Sequence, residues 1–131
     1  MSDLSFEEQS KWRKQVQDAI KYGDYHYEKK PTFFNPINYY NLEEVRYRSE
    51  REVMEFDLYK VRNSDLCICN FNDPASLGSM AELAIAYDRR IPVIGLCENN
   101  EKLHPWQEEM IVKKFTDIKD LAFYVIDYYL N

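Results

Sequence analysis

The stretch that decides the fold is residues 65–83, which read DLCICNFNDPASLGSMAEL. The apolar run from Leu66 to Asn70 predicts a strand that is buried on both faces of a sheet. Asn72-Asp73-Pro74 predicts a turn, and residues 76–89 predict a helix. A buried strand that leads through a short turn into a helix is the repeating unit of α/β folds with parallel sheets.

Helices and strands alternate on both sides of this stretch. Upstream, the pattern predicts a helix over 5–21 that Gly23 ends, a short strand over 32–35 and a helix over 42–62 that Asn41 caps. Downstream, it predicts a strand over 91–96, a short helix over 105–113, an edge strand at 115–116 and a helix over 117–130 that Asp117 caps. This order predicts one domain over residues 1–131, with a parallel sheet and helices on both faces. Ligands of such sheets bind beyond the carboxyl ends of the strands, so the loop 71–79 is the expected site wall.

Composition narrows the class of protein. The chain has 131 residues, of which 45% are hydrophobic and 31% charged, as in a globular domain. A net charge of −6 argues against a nucleic-acid duplex as a ligand. No run approaches the roughly 20 apolar residues of a membrane span, and the first residues lack the pattern of a secretory signal. We therefore expect a cytoplasmic protein that does not bind membranes.

The cysteines are expected to be structural. Cys67 and Cys69 alternate with apolar neighbours in the predicted strand, so both side chains should lie on the same face of the sheet. In a reducing compartment they are best interpreted as small core residues. The alternative is a Cys-x-Cys metal site, but no nearby His or Cys completes a ligand set. We expect no metal.

Glu82 is a carboxylate in an apolar neighbourhood, and two interpretations are open. Ser79-x-x-Glu82 has the pattern of a capping box at the start of a helix. The alternative is a reacting group, because desolvation among apolar neighbours raises the pKa of a carboxylate, and such perturbed groups are common in active sites.

Asp57 is the second candidate carboxylate. It lies three residues from Met54 and four from Val61, on or beside the apolar stripe of the second helix. Asp57 either forms a salt bridge at the edge of that helix or reaches the same cleft as Glu82. Two carboxylates that converge on one cleft are typical of chemistry at an anomeric carbon.

Polar residues around the predicted turn are candidates for substrate binding. Ser76 is either an N-cap or a group that holds a phosphate or 5′-hydroxyl together with the N–H groups of Gly78 and Ser79. Gly78 has no Cβ and would allow close approach of a ligand to the backbone. Asp73 either forms the turn or accepts a hydrogen bond from a base or sugar.

His104-Pro105-Trp106 opens a helix, with Pro105 suited to its first position and Trp106 expected to pack. His26 and His104 are the two histidines of the sequence. Two histidines do not favour a histidine-based catalytic triad or a metal cluster.

Several segments together resemble a known enzyme family. These are Phe56-Asp57-Leu58, then Asn63-Ser64-Asp65, then Ser76-Leu77-Gly78 with Glu82 four residues after the glycine, and finally Arg90-Ile91-Pro92-Val93-Ile94. Their order and spacing are similar to those of nucleoside 2-deoxyribosyltransferases and the related deoxynucleoside 5′-monophosphate N-glycosidases. The resemblance runs over about 5–130 and is strongest over 54–96. It implies a three-layer Rossmann/flavodoxin-like parallel sheet.

The resemblance also implies residue roles. Glu82 matches the nucleophile that attacks C1′ of the deoxyribose, and Asp57 matches a carboxylate that contacts the sugar or assists the leaving base. Ser76 matches a serine that holds the 5′ end. In the family a neighbouring subunit completes each site, which implies that His104 or Glu108 reaches across a homodimer.

The implied reaction cleaves the N-glycosidic bond of a 2′-deoxynucleoside or its 5′-monophosphate and transfers the deoxyribosyl group to another base or to water. It requires no cofactor.

One departure from the family pattern motivates an alternative function. Family members begin with a strand and a glycine-containing loop, whereas Met1 stands about where that loop ends. The sheet is therefore expected to lack its first, central strand, which leaves its two neighbours without a shared partner. The alternative function is a non-catalytic nucleotide-binding or oligomeric module.

Aromatic surface also predicts self-association. The tyrosines in question are Tyr39, Tyr40, Tyr47, Tyr59, Tyr124, Tyr128 and Tyr129. They offer more aromatic surface than a small monomer needs to expose. We expect at least a dimer with two-fold symmetry.

Overall fold

The structure, a computed structural model, describes residues 6–23, 26–35 and 49–131, apart from the Phe6 side chain. The helices in these ranges are α1 (Phe6–Tyr22), α2 (Glu50–Arg62), α3 (Leu77–Asp88), α4 (Pro105–Met110) and α5 (Ile118–Tyr129). The strands are β1 (Cys67–Asn70), β2 (Val93–Leu96) and β3 (Lys113–Phe115). They form one parallel sheet in the order β1-β2-β3. The predicted α/β class is confirmed.

The helices cover both faces of the sheet, so the described part of the chain has three layers. On one face, α1 and α5 enclose a cluster that includes Val16 and Leu121 together with Ile94 and Leu96 of β2. On the other face, Leu83 of α3 belongs to a second cluster, against which the partly buried Val61 of α2 packs. Because both faces of β2 are covered, all four of its residues are buried.

Helix starts follow local capping chemistry. The Asp117 carboxylate accepts the Lys119 N–H at 2.8 Å, which confirms the predicted cap of α5. The Ser49 hydroxyl accepts the Glu52 N–H at 3.2 Å and caps α2. The backbone of Ser49 is extended (φ −156°, ψ 160°), so the predicted continuous helix over 42–62 is wrong at this residue. The predicted cap Asn41 lies outside the described residues.

The predicted strand over 32–35 is also wrong, because residues 31–35 carry no strand pairing in the described part of the chain. Its side chains nevertheless alternate. Phe33 packs against the α1/α5 cluster, whereas the Phe34 ring lies 5.8 Å from that of Phe56 in α2. Alternation between two layers is a property of strands. A strand also needs a hydrogen-bonded neighbour, and among the described residues no strand pairs with this segment.

Smaller differences concern element ends. The edge strand covers Lys113–Phe115 rather than 115–116, and α4 ends at Met110 rather than near 113.

Cys67 and Cys69 both pack against the α2/α3 cluster, whereas Leu66 and Ile68 pack against the opposite one. The prediction that both thiols lie on one face of the sheet is confirmed. No helix within 6–23, 26–35 or 49–131 combines the length and apolarity needed to cross a membrane.

Candidate active site

A cavity of about 870 Å³ lies beside β1. Its walls come from α1, residues 29–35, α2, β1 and the end of α5, and Glu82 of α3 faces it. A smaller niche of about 50 Å³ also lies against Glu82 and includes Asn70, the last residue of β1. Glu82 is therefore at the carboxyl end of β1, where the α/β architecture predicts a ligand site.

Glu82 does not cap its helix. Ser76 is the N-cap of α3, and its hydroxyl accepts the Ser79 N–H at 3.4 Å. Ser79 is thus already inside the helix, and Glu82 lies one further turn along. A capping-box carboxylate stands three residues after the cap, so the capping-box interpretation of Glu82 is wrong. The sequence repeats serine at 76 and 79, and the earlier serine is the cap.

Burial raises the pKa of Glu82 from 4.5 to about 7, and the negative charge of Asp57 contributes to the increase. The positive charge of Arg13 opposes it. A carboxylate with a pKa near 7 exchanges its proton in the physiological range, which suits a reacting group. The structure therefore brings Glu82 and Asp57 together, in a site that also contains the guanidinium of Arg13.

Asp57 lies on the inner side of α2 and is only 9% exposed. It lines the same cavity as Glu82. Met54, in contrast, is 53% exposed, so it is not part of a buried stripe as the sequence predicted. Val61 does pack against the α2/α3 cluster. The rotation of α2 thus turns Asp57 toward the cavity and away from the exposed edge of the helix.

Arg13 and Trp12 are site residues that the sequence analysis missed. Both line the large cavity and the niche beside Glu82. The Arg13 guanidinium lies 4.9 Å from the centroid of the Trp12 ring, within the range of a cation–π contact. The sequence did contain a signal for Arg13. Arg13 precedes the buried Val16 by three residues and the buried Ile20 by seven, so it places a charge on the apolar stripe of α1.

Asn70 is another site residue found only in the structure. Its Oδ1 accepts the Asn72 N–H at 2.7 Å. Its Nδ2 is buried and has no hydrogen-bond partner among the described residues. Asn70 lines the niche together with Ser79, one of the predicted binding residues. A buried amide donor beside a carboxylate is suited to hold an oxygen atom of a ligand.

The structure does not place the other predicted binding residues on the cavity wall. Ser76 is 5% exposed, and its interpretation as an N-cap is confirmed. The Asp73 carbonyl accepts the Ser76 N–H at 3.2 Å, which confirms the predicted turn. Gly78 is exposed, and a Cβ built on it would meet no atom within 4 Å. The protein itself therefore does not require glycine at this position.

His104 is also away from this wall. Its Nδ1 accepts the Trp106 N–H at 3.1 Å, and its own N–H donates to Gln107 Oε1 at 2.8 Å, so His104 caps α4. Gln107 Nε2 donates to the Pro74 carbonyl at 2.9 Å and ties α4 to the loop before α3. Gln107 takes the buried position, and Trp106 is 67% exposed, so the predicted packing of Trp106 is wrong.

The thiols near the site are not nucleophiles at neutral pH. Burial raises the pKa of Cys67 to about 11, with a further contribution from the charge of Glu82. Burial raises the pKa of Cys69 as well. A thiol that stays protonated is inert in nucleophilic chemistry. The parts of the chain that the structure describes contain no group of three or more His, Cys, Asp or Glu side chains that could hold a metal ion.

Comparison with known proteins is informative at the level of structure. No protein-family model matches the chain, and no curated protein sequence matches it. Among solved structures, it is similar to a 2-deoxyribosyltransferase from the psychrotolerant bacterium Bacillus psychrosaccharolyticus, with 21% sequence identity and a TM-score of 0.64. The match covers 88% of this chain and 80% of the other. The chain has a 2-deoxyribosyltransferase-like fold. At this identity the likeness is one of fold, and the chemistry must be argued from the site.

Proposed function

We propose that this chain cleaves the N-glycosidic bond of 2′-deoxynucleosides or their 5′-monophosphates and transfers the deoxyribosyl group to another base or to water. The observation that carries the proposal is Glu82, a carboxylate whose pKa is raised to about 7 beside Asp57 at the carboxyl end of β1. The 2-deoxyribosyltransferase-like fold supports a nucleoside as the class of substrate.

In the first step, an ionised Glu82 oxygen attacks C1′ of the sugar. The C1′–O bond forms while the C1′–N bond breaks, and the electron pair of that bond passes to the nitrogen of the departing base. The product is a glycosyl ester on Glu82. Covalent catalysis of this kind divides one difficult displacement into two easier ones.

In the second step, a nitrogen of an incoming base or the oxygen of a water attacks C1′ from the face that the first base left. The ester C1′–O bond breaks, and its electron pair returns to the Glu82 carboxylate. Two inversions at C1′ give net retention of configuration, as in retaining glycosidases. Neither step uses a metal or an organic cofactor.

Asp57 contacts the sugar or assists the departing base in this scheme. Burial and the negative charge of Asp57 favour the protonated form of Glu82, so Glu82 must lose its proton before it attacks, in accord with its raised pKa. The departing base takes a proton from water, and the incoming nucleophile gives its own proton to water.

Polar groups beside Glu82 orient the sugar. The buried Nδ2 of Asn70 and the side chain of Ser79 adjoin the carboxylate in the niche, where they are placed to hold a sugar hydroxyl. The 5′ end lies toward the start of α3. There the Ser76 hydroxyl still has its own hydrogen to donate to a phosphate oxygen, and Gly78 leaves the backbone accessible. Asp73 remains a proposed contact to the base or sugar.

We further propose that the active form is a homodimer. Tyr59 and Tyr128 are 54% and 66% exposed, whereas Tyr39, Tyr40 and Tyr47 lie outside the described residues. In a dimer, His104 and Glu108 are the residues proposed to reach the partner's site. Glu108 is held by Lys114 Nζ at 3.0 Å. Light scattering at micromolar concentration tests this proposal, and a monomeric mass would remove it.

The activity test compares two incubations, one with deoxynucleosides plus a free base and one with deoxynucleotides alone, each followed by chromatography of the bases. We expect new deoxynucleosides in the first for a transferase, or free base and sugar in either for a hydrolase. Glu82→Gln should abolish turnover, because an amide is a poor nucleophile. Glu109→Gln, an exposed change on α4, is the matched control and should leave turnover unchanged.

The alternative is a non-catalytic nucleotide-binding module, and the observation that favours it is the open cavity beside β1. Equilibrium dialysis with deoxynucleotides separates the two functions. Saturable binding without product, equal for the wild type and Glu82→Gln, would identify a binding module. Product that depends on Glu82 would identify the enzyme.

A further inference from the structure

α3 differs from the other long helices in what it presents to solvent. The helix reads LGSMAELAIAYD, and from residue 77 to residue 87 its one charged side chain is Glu82, which faces the cavity. The helices α1, α2 and α5 each expose charged side chains, among them Lys11, Arg51 and Lys119. A surface helix of a soluble protein ordinarily carries polar or charged residues on the face away from the core. The outer face of α3 departs from this pattern.

A row of apolar side chains runs along this outer face. Leu83 and Ala86 lie on the inner side of α3 and are buried in the core. On the outer side, four residues recur at the i, i+4, i+7 and i+8 spacing of one helix face, namely Leu77, Ala81, Ala84 and Ile85. Leu77 is 79% exposed, Ala81 is exposed, and the other two are half-buried. We refer to these four residues as the α3 row.

The α3 row has the same spacing in both directions from Ala81. Leu77 precedes Ala81 by four residues and Ile85 follows it by four, so each lies about 6 Å from it along the helix. A two-fold axis that passes through Ala81, perpendicular to the helix, brings Leu77 of one copy against Ile85 of the other, and the same contact forms on the far side of the axis. The small side chain of Ala81 allows the two helices to approach to about 8 Å, the short end of the usual range. The row is therefore complementary to a second copy of itself.

Charge also favours a second copy as the partner at this face. The chain has a net charge of −6, and charge of one sign opposes the association of identical molecules. The α3 row carries no charge, so two copies that meet there bring no like charges into contact. A protein of different sequence would not require the symmetric spacing about Ala81.

We propose that α3 packs against α3 of a second copy of this chain, about a two-fold axis at Ala81. This inference rests on the proposed homodimer and names its interface. Glu82 faces the cavity and the α3 row faces outward, so the candidate site and the interface lie on different sides of one helix. Formation of the dimer then holds in place the helix that carries Glu82.

Charged substitutions at position 81 test the proposal. Ala81→Glu and Ala81→Lys each bring two like charges together at the axis, so each should raise the dissociation constant of the dimer at least ten-fold. Position 81 is exposed in the single chain, so both variants should fold. An equimolar mixture of the two should associate as the wild type does, because a carboxylate of one copy then faces an ammonium of the other. Sedimentation equilibrium measures all of these constants.

Asp127→Asn, at an exposed position of α5, is the control for net charge, because it changes the charge by the same +1 as Ala81→Lys. It should leave the dissociation constant unchanged. A dimer of Ala81→Glu as stable as that of the wild type would overturn the proposal, and so would a mixture of the two charged variants that stays monomeric. A monomeric wild type would overturn the interface together with the homodimer, whereas the incubations with deoxynucleosides test the reaction separately.

Cross-linking gives a second test that does not depend on charge. In Ala81→Cys, two helices about 8 Å apart bring the Cα atoms at the axis within the separation of about 4.4–6.8 Å that a disulfide requires. Oxidation with copper phenanthroline should convert most of this variant into a covalent dimer that a reductant reverses. The native thiols are buried or half-buried, so the wild type should not cross-link, and Asp127→Cys is the exposed control.

Absence of a covalent dimer in Ala81→Cys would contradict the proposed axis, and so would equal cross-linking of Asp127→Cys. Glu82→Gln should dimerise as the wild type does, because Glu82 lies on the cavity side of α3. Loss of the proposed catalysis and loss of the proposed interface are therefore distinguishable.

Discussion

β1 and β2 are neighbouring parallel strands of four residues each, and they differ in how they are covered. β2 has a strand on each edge and helices on both faces, and all of its residues are buried. β1 has β2 on one edge and the cavity on the other, and only Cys69 of its four residues is buried. The β2 side of the molecule is a packed core, whereas the outer side of β1 is where a ligand has room.

The two carboxylates of the candidate site, Glu82 and Asp57, line the cavity on the outer side of β1. Raising the pKa of Glu82 from 4.5 to about 7 corresponds to a destabilisation on the order of 3 kcal/mol when that carboxyl is ionised in the folded protein. Native proteins tolerate such a cost mainly where a functional group requires it. The comparison teaches that tight packing is found on one side of the sheet and the buried, charge-bearing cavity on the other.

The largest expected effect compares two isoleucines that are register partners, Ile94 in β2 and Ile68 in β1. Both belong to the same hydrophobic cluster, but Ile94 is fully buried and Ile68 only half-buried. Ile94→Ala should cost about 4 kcal/mol of unfolding free energy and Ile68→Ala about 1–2 kcal/mol, because the second site already adjoins open space. Urea denaturation measures both. Equal losses would show that β1 is packed as tightly as β2.

The next effect concerns catalysis. Asp57→Asn removes the carboxylate proposed to contact the sugar or assist the leaving base and should reduce kcat about 100-fold, or about 2.7 kcal/mol, with little loss of stability. It also removes a negative charge beside Glu82, so the acidic limb of the pH–rate profile should move to lower pH. Arg13→Gln removes the opposing positive charge and should move that limb to higher pH. Parallel loss of folding and activity in Asp57→Asn would instead assign Asp57 a structural role.

A smaller effect is expected in stability against pH. The native state binds the Glu82 proton more tightly than the unfolded state does, so ionisation of Glu82 lowers the free energy of unfolding as pH rises from about 4.5 to about 7. Glu82→Gln does not ionise. It should be about 2 kcal/mol more stable than the wild type at pH 8, allowing for partial solvent exposure of the side chain, and nearly equal to it at pH 4. A constant difference between the two proteins across this range would contradict the raised pKa.

Much of the fold could be predicted from the sequence because its signals are local. The apolar run at 66–70, the caps Ser76 and Asp117 and the turn at 72–74 each act through neighbouring residues. The prediction of a strand over 32–35 was wrong because strand formation depends on a partner that is distant in sequence. Its side chains alternate as those of a strand do, but no described strand pairs with it.

The site could be predicted in part. Glu82 and Asp57 stood out as carboxylates in apolar surroundings, and the structure places both on one cavity. Asn70 was missed because what makes it a site residue is proximity across three elements. Arg13 was missed although its charge on the apolar stripe of α1 was a signal within one helix. The His104 side chain caps α4, and its reach into a partner's site stays a proposal.

The most direct test of the account is a search for the covalent intermediate. The protein is mixed with a 2′-deoxynucleoside in the absence of an acceptor base, quenched rapidly with acid, digested and analysed by mass spectrometry. We predict that the peptide containing Glu82 gains the mass of one deoxyribosyl group, and that Glu82→Gln shows no such gain. Turnover by the wild type without an adduct at any time point, or an adduct on another residue, would contradict the assignment of Glu82 as the nucleophile.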